Sequence, residues 1–104
     1  MAAAVSDFYI PLEKMKEHKI QSGDGNLVLE LEQVPKMLKH IKEKWARDGF
    51  LVSFKLETDQ DLVIYKAKRA IDIYGVDVVV ANQLQTRRDV VYLVTHSNVD
   101  EVIR

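Results

Sequence analysis

The stretch FLVSFKLETDQDLVIYKAKRAIDIYGVDVVVAN, Phe50 to Asn82, decides the fold, because it runs from an apolar strand through an amphipathic helix to a second apolar strand. FLVSF (Phe50–Phe54) is almost unbroken in apolar residues. That is the pattern of a strand buried on both faces in a parallel sheet, so a helix is expected on either side of it. Thr58, followed three residues later by Asp61, reads as a start resembling a capping box. Leu62, Val63, Ala67, Ala70, Ile71 and Tyr74 then recur at helical spacing up to Gly75, which ends the helix. VDVVVAN (Val76–Asn82) is the second buried strand, and it ends on a polar residue.

Working outward, DVVYLVTH (Asp89–His96) predicts a further strand after a loop holding Arg87 and Arg88, and the tail SNVDEVIR reads as the start of a short helix. On the other side, Pro35 suits a first helical turn, Met37, Leu38, Ile41 and Trp45 share a face, and Gly49 closes a helix over Pro35 to Asp48. Strand, helix, strand, helix, strand is the signature of right-handed crossover units, and hence of a three-layer α/β sheet. In such sheets ligands bind beyond the carboxyl ends of the strands. That rule selects Val5-Ser6-Asp7, Phe54-Lys55-Leu56-Glu57 and Ala81-Asn82.

The first third of the chain is less regular. Ala2 to Val5 reads as the buried end of a strand, and Ser6 to Ile20 as a long polar loop. In HKIQSGDGNLVLELEQV the GDG supplies turn residues, while Leu27, Leu29 and Leu31 alternate with Val28, Glu30 and Glu32 at strand period. The expectation is a hairpin with one greasy face. A ribbon of two strands is only marginally stable unless it packs on something, and a partner chain is a candidate.

Composition narrows the function classes. The 104 residues, 47% hydrophobic and 30% charged, suit one globular domain over 1–104 that buries roughly two-thirds of its unfolded surface. Fifteen basic residues against sixteen acidic ones give a net charge of -1. Such a balance offers no bulk field for nucleic acid or an anionic membrane, so any bound anion must be held locally. With no cysteine there is no disulfide frame or thiolate nucleophile. The start lacks the basic region of a signal peptide and no apolar run approaches membrane-spanning length, which makes the cytoplasm the default compartment.

The standard devices are absent too. There is no GxGxxG, GxxxxGK[ST], HExxH or GxSxG, and His18, His40 and His96 lack ligand spacing, so no metal site is assigned. Asp7 stands at a strand end among small residues that let a ligand approach, yet it reads equally as an Asx-turn acid. Lys19 is more often a solvated loop lysine than a phosphate contact. Lys66, Lys68 and Arg69 on the helix read first as a solvent face.

Taken together, AAAVSDFYIP, EHKIQS, VPKML, SFKLETD, KAKRAIDIY and VVVAN resemble, in order and context, the phosphopantothenoylcysteine synthetases, or phosphopantothenate–cysteine ligases, of coenzyme A biosynthesis. The resemblance covers essentially all 104 residues and is nearest to the eukaryotic form in AAAVSDFY and FKLETD. It implies a Rossmann-like three-layer sandwich that dimerises. The implied reaction joins 4'-phosphopantothenate to cysteine through an acyl-nucleotidylate formed from ATP or CTP, with Mg²⁺ and lysines neutralising phosphate charge.

Residue by residue, the resemblance assigns Ala3, Ala4 and Asp7 to the nucleotide or phosphopantothenate site and Lys19 to handling the activated intermediate. It gives Phe54 the base-pocket position, Val34 a nucleotide contact, Lys68 a place near phosphates, and Asn82 the end of the VVVAN strand. The hairpin Lys19 to Val34 matches a dimerisation arm. Two departures, Val34-Pro35-Lys36 for the bacterial Asn-Pro-Asp and Asp72 for a second helix lysine, weaken CTP and suit the ATP-using branch. The family's N-terminal half has no counterpart here. The chain is therefore expected to be the C-terminal part of the domain, a fragment or subunit not active alone, with the missing half as a possible separate partner. A non-catalytic dimerisation or nucleotide-binding module is the other expectation.

Overall fold

A computed structural model describes residues 5–15, 23 and 25–104. The chain divides into two compact units, one whose described part lies within Ala4–Pro35 and one from Lys36 to Arg104.

In the smaller unit, strand β1 (Phe8–Tyr9) pairs antiparallel with β2 (Glu32–Gln33), Phe8 opposite Gln33 and Tyr9 opposite Glu32. The Val34 N–H extends this ribbon by donating to the Asp7 carbonyl at 2.9 Å. A single tight turn, Leu12–Lys14, follows Pro11, and Lys14 Nζ lies 3.4 Å from Glu30 and 3.2 Å from Glu32. This differs from the expected hairpin across GDG. Residues 26–31 form no strand, and β2 finds its partner in the segment read as loop. Leu27, Val28, Leu29 and Leu31 are all exposed. The alternation was real, but a face left this exposed gives a strand no register to hold. Lys19, Ile20 and most of the GDG approach lie outside the described residues.

The larger unit begins with helix α1, a helical turn over Leu38–His40 that widens to i→i+5 spacing over Ile41–Trp45. The Ala46 N–H donates to the Ile41 carbonyl at 2.7 Å. The extra residue per turn shifts the phase of the predicted stripe. Leu38 and Ile41 are half-buried, whereas Met37 and Trp45 are exposed, and Trp45 meets His40 edge to face at 5.7 Å.

Strand β3 (Val52–Glu57), helix α2 (Gln60–Tyr74) and strand β4 (Val78–Gln83) form the one parallel crossover among the described residues, with Val52 opposite Val78 and Glu57 opposite Gln83. Strands β5 (Val90–Val94) and β6 (Val99–Ile103) continue the sheet antiparallel, in the order β3-β4-β5-β6. The six-residue connection after β4, read as a loop, turns the chain back so that β5 runs antiparallel to β4. One expectation is corrected here. The tail is a strand: Thr95 N–H donates to the Asn98 carbonyl at 2.9 Å, Asn98 N–H donates back to Thr95 Oγ1 at 3.0 Å, and β-branched Val99, Val102 and Ile103 pair with β5.

Helix α2 forms where the sequence places it, one residue later than the cap predicted. Asp59, not Thr58, is the N-cap, its carboxylate accepting the Asp61 N–H at 2.9 Å. Gly75 caps the other end at φ 69°, donating its N–H to the Ile71 carbonyl. Gly75→Ala should cost about 1 kcal/mol in a denaturant titration, because a side chain is strained at this φ; an unchanged midpoint would mean the cap rearranges freely.

The core is the α2 stripe Val63, Ala67 and Ile71 against Val76, Val79, Ala81 and Val94. Ile64 takes the place predicted for Leu62, which is exposed. Among the described residues helix α2 covers one face of the sheet, and Phe54 and Leu56 stand exposed on the other. No helix among the described residues is long and apolar enough to cross a membrane.

Candidate functional site

The alternation of a strand sorts the carboxyl ends of β3 and β4 onto two faces. Ser53, Lys55 and Glu57, level with Val79, Ala81 and Gln83, lie toward α2, where Val79 and Ala81 join the core. Val52, Phe54 and Leu56, level with Val78, Val80 and Asn82, lie on the open face. Phe54 is 59% exposed and Leu56 51%, and Asn82 sits beside Leu56 at the end of this apolar surface. Two of the expected site residues, Phe54 and Asn82, are thereby brought to one face, Asn82 two residues nearer the carboxyl end.

On the helix side the same strand ends carry charge. Glu57 Oε1 accepts from Lys66 Nζ at 2.8 Å and lies 3.3 Å from Lys55 Nζ. The Lys66 ammonium first, and Lys55 with it, hold the Glu57 carboxyl below its usual range against the partial burial that opposes ionisation. The Leu84 N–H donates to the Glu57 carbonyl at 2.8 Å, Gln83 Nε2 donates to the Thr58 carbonyl at 3.3 Å, and Arg87 donates to the Leu84 carbonyl at 2.7 Å. The loop after β4 is thus bound to the end of β3.

Lys68 is elsewhere. At about 100° per residue, Lys66 and Lys68 project from flanks of α2 about 200° apart. Lys66 takes the β3 flank, and Lys68 shares the other with Asp72, whose Oδ1 is 3.9 Å from His96 Nδ1 just beyond β5. Phe54 and Asn82 lie across the sheet from it. In the smaller unit Asp7 and Val34 meet through the 2.9 Å backbone bond, Asp7 exposed and Val34 half-buried. Ala3, Ala4 and Lys19 lie outside the described residues.

Residues 1–101 match the family model described as "DNA/pantothenate metabolism flavoprotein C-terminal domain". The chain belongs to that family. It is 55% identical over 95 residues to phosphopantothenate--cysteine ligase 2 of Oryza sativa subsp. japonica, covering 91% of this chain and 29% of that protein. It is 50% identical over 95 residues to phosphopantothenate--cysteine ligase of Homo sapiens, covering 91% of this chain and 30% of that one. The solved structure of a Cab2 variant in complex with phosphopantothenate-cysteine superposes with a TM-score of 0.91 at 42% identity, over 99% of this chain and 36% of that chain. The chain spans about a third of the length of these relatives.

Membership of the flavoprotein C-terminal domain family sharpens what the residues offer. Lys55, Glu57 and Lys66 are what sequence reading missed as a group. Glu57 lay within a selected strand end, but a lysine nine residues further on gave no sign that it reaches back. Helical side chains lean toward the helix N-terminus, and that lean carries Lys66 to Glu57. Among the described residues no three His, Cys, Asp or Glu side chains gather as a metal cage. A Mg²⁺ ion brought on nucleotide phosphates asks for less, one or two carboxylates at most, and exposed Asp7 is of that chemistry.

Proposed function

We propose that this chain supplies part of the active site of a phosphopantothenate–cysteine ligase, with ATP or CTP activating the phosphopantothenate carboxylate for attack by the cysteine amine. The observation that carries the reading is the exposed Phe54 on the open face of the parallel pair β3–β4, with Asn82 on the same face two residues nearer the carboxyl end. An aromatic face left open there suits a base, because stacking is indifferent to which base is offered. Asn82 supplies an amide that both donates and accepts, suited to orienting a carboxylate or its activated form.

Within this reading Lys19 and Asn82 act on the reacting groups, Phe54 and Val34 face the nucleotide, and Ala3, Ala4 and Asp7 face phosphopantothenate. Lys68, on the far flank of α2, is left out of that group. The fold is completed as a Rossmann-like three-layer sandwich in the cytoplasm by chain that packs on the open face of the sheet over Leu56 and leaves Phe54 to the nucleotide, either the rest of a longer protein or a separate N-terminal half. The arm from Lys19 to Val34 serves a homodimer, and exposed Leu27, Val28, Leu29 and Leu31 support that role. The same leucines favour a second reading, an assembly module without catalysis.

Thermal unfolding with ATP, CTP and Mg²⁺, alongside the mass in solution, separates the two. A nucleotide that binds the native state raises the midpoint. Phe54→Ala should leave the unliganded midpoint almost unchanged, since its side chain is largely solvated, yet weaken nucleotide binding about tenfold, the low end of one stacked base. A folded dimer that responds to neither nucleotide would leave the assembly module.

A further inference from the structure

We propose that Lys55 and Lys66, gathered by Glu57 at the carboxyl end of β3, form an anion subsite that takes a phosphate group of the nucleotide. The proposal rests on the nucleotide reading above and adds the residues that meet the charge.

Both ammonium groups converge on the same oxygen, Glu57 Oε1, at 3.3 and 2.8 Å. One carboxylate neutralises one of them, so the cluster carries a net positive charge in a chain with no positive surplus of its own. The Glu57 side chain is only 13% exposed, whereas those of Lys55 and Lys66 are 39% and 40% exposed. The carboxylate is the fixed post and the ammoniums are the accessible groups. Each ammonium has three donors and spends one on Glu57, which leaves others free for an incoming oxygen.

A plain surface ion pair needs one lysine, and such pairs contribute little to stability. Two lysines on one sheltered carboxylate, at the strand ends where α/β sheets hold ligands, fit charge storage for an anion better. The surrounding groups agree. Of the nearby acids, the Asp59 carboxylate is engaged by the Asp61 N–H, and the loop bonded to the Glu57 carbonyl carries Arg87 and Arg88.

The test is calorimetric titration of the chain with inorganic pyrophosphate, and separately with ATP and CTP in Mg²⁺. The proteins are the parent, the Lys55→Gln/Lys66→Gln double variant, the Lys55→Arg/Lys66→Arg double variant and Lys44→Gln as a distant control. The Gln pair should weaken binding of pyrophosphate and of the preferred nucleotide about tenfold or more, the scale of a lost charge-assisted contact. The Arg pair should restore most of it, and Lys44→Gln should match the parent. If the parent binds a nucleotide and the Gln pair binds it equally well, the subsite is overturned while the nucleotide reading stands. If the parent binds pyrophosphate through these lysines but no nucleotide, the lysines form an anion site, while the nucleotide reading and with it the nucleotide phosphate as occupant are overturned. Binding of neither overturns both. Melting curves of all variants show that they are folded.

Discussion

Asp77→Ala should lower the stability of the chain by about 2 kcal/mol, a loss of about 10 °C in midpoint for a domain of this size. Asp77 Oδ2 accepts two bonds of 2.7 Å, from the Leu51 N–H and from Lys42 Nζ, and Lys42 donates onward to the Gly49 carbonyl at 2.7 Å. One carboxylate therefore ties the entry to β3, the entry to β4 and the end of the α1 segment. Removing it leaves the half-buried Lys42 ammonium without its counter-charge and the Leu51 N–H without its acceptor, and that penalty exceeds the net worth of the bonds themselves.

The pH dependence follows from the same contacts. The Leu51 N–H first, and Lys42 after it, hold the Asp77 carboxyl below its ordinary value of 3.8. A carboxylate with a depressed folded-state pKa contributes fully above its unfolded pKa and loses that contribution as pH falls through the folded value. Parent and variant should thus differ by a constant amount from neutral pH down to about 4 and converge below it. Urea titrations at several pH values measure this. A gap that persists undiminished at pH 2 would show that Asp77 acts through packing and not through its charge.

The crossover was legible because three independent signals agreed there: apolar strands, a stripe at helical spacing, and Gly75 at the αL stop. What escaped were features that depend on a neighbour. The tail Val99–Arg104 carries charges at Asp100, Glu101 and Arg104 that mask its strand character until β5 is beside it. The loop after β4 was legible as a loop, but that it reverses the chain rests on the Thr86 carbonyl accepting the N–H groups of Asp89 and Val90. At the site, Phe54 and Asn82 were reachable by counting along strands. The Lys55–Glu57–Lys66 cluster needed the distance between a helix and a strand, which no spacing rule states. Lys68 was chosen over Lys66 through resemblance alone, and only the helix geometry separates their flanks.

Ala67→Leu is the second large loss expected, about 2–3 kcal/mol, at the upper end for overpacking. Ala67 is fully buried in the centre of the α2 stripe, and the side chains in its cluster include Val79, Ala81 and Val94, each also 0% exposed. Two alanines at that contact let α2 sit close over the sheet, so an isobutyl group has no space to enter unless the helix lifts. Arg69→Leu, two positions on and exposed, should change stability by no more than about 0.5 kcal/mol, which isolates burial as the cause. The lift has a second consequence. Lys66 stands one residue before Ala67 and spans to Glu57 at 2.8 Å, so raising α2 should stretch that bond and release Glu57 toward an ordinary carboxylate pKa. A carboxyl-resolved NMR titration reads the shift directly. Lost stability with Glu57 unmoved would place the strain in β4 and not in the helix, and the close seat of α2 would not be what holds Lys66 at the strand end.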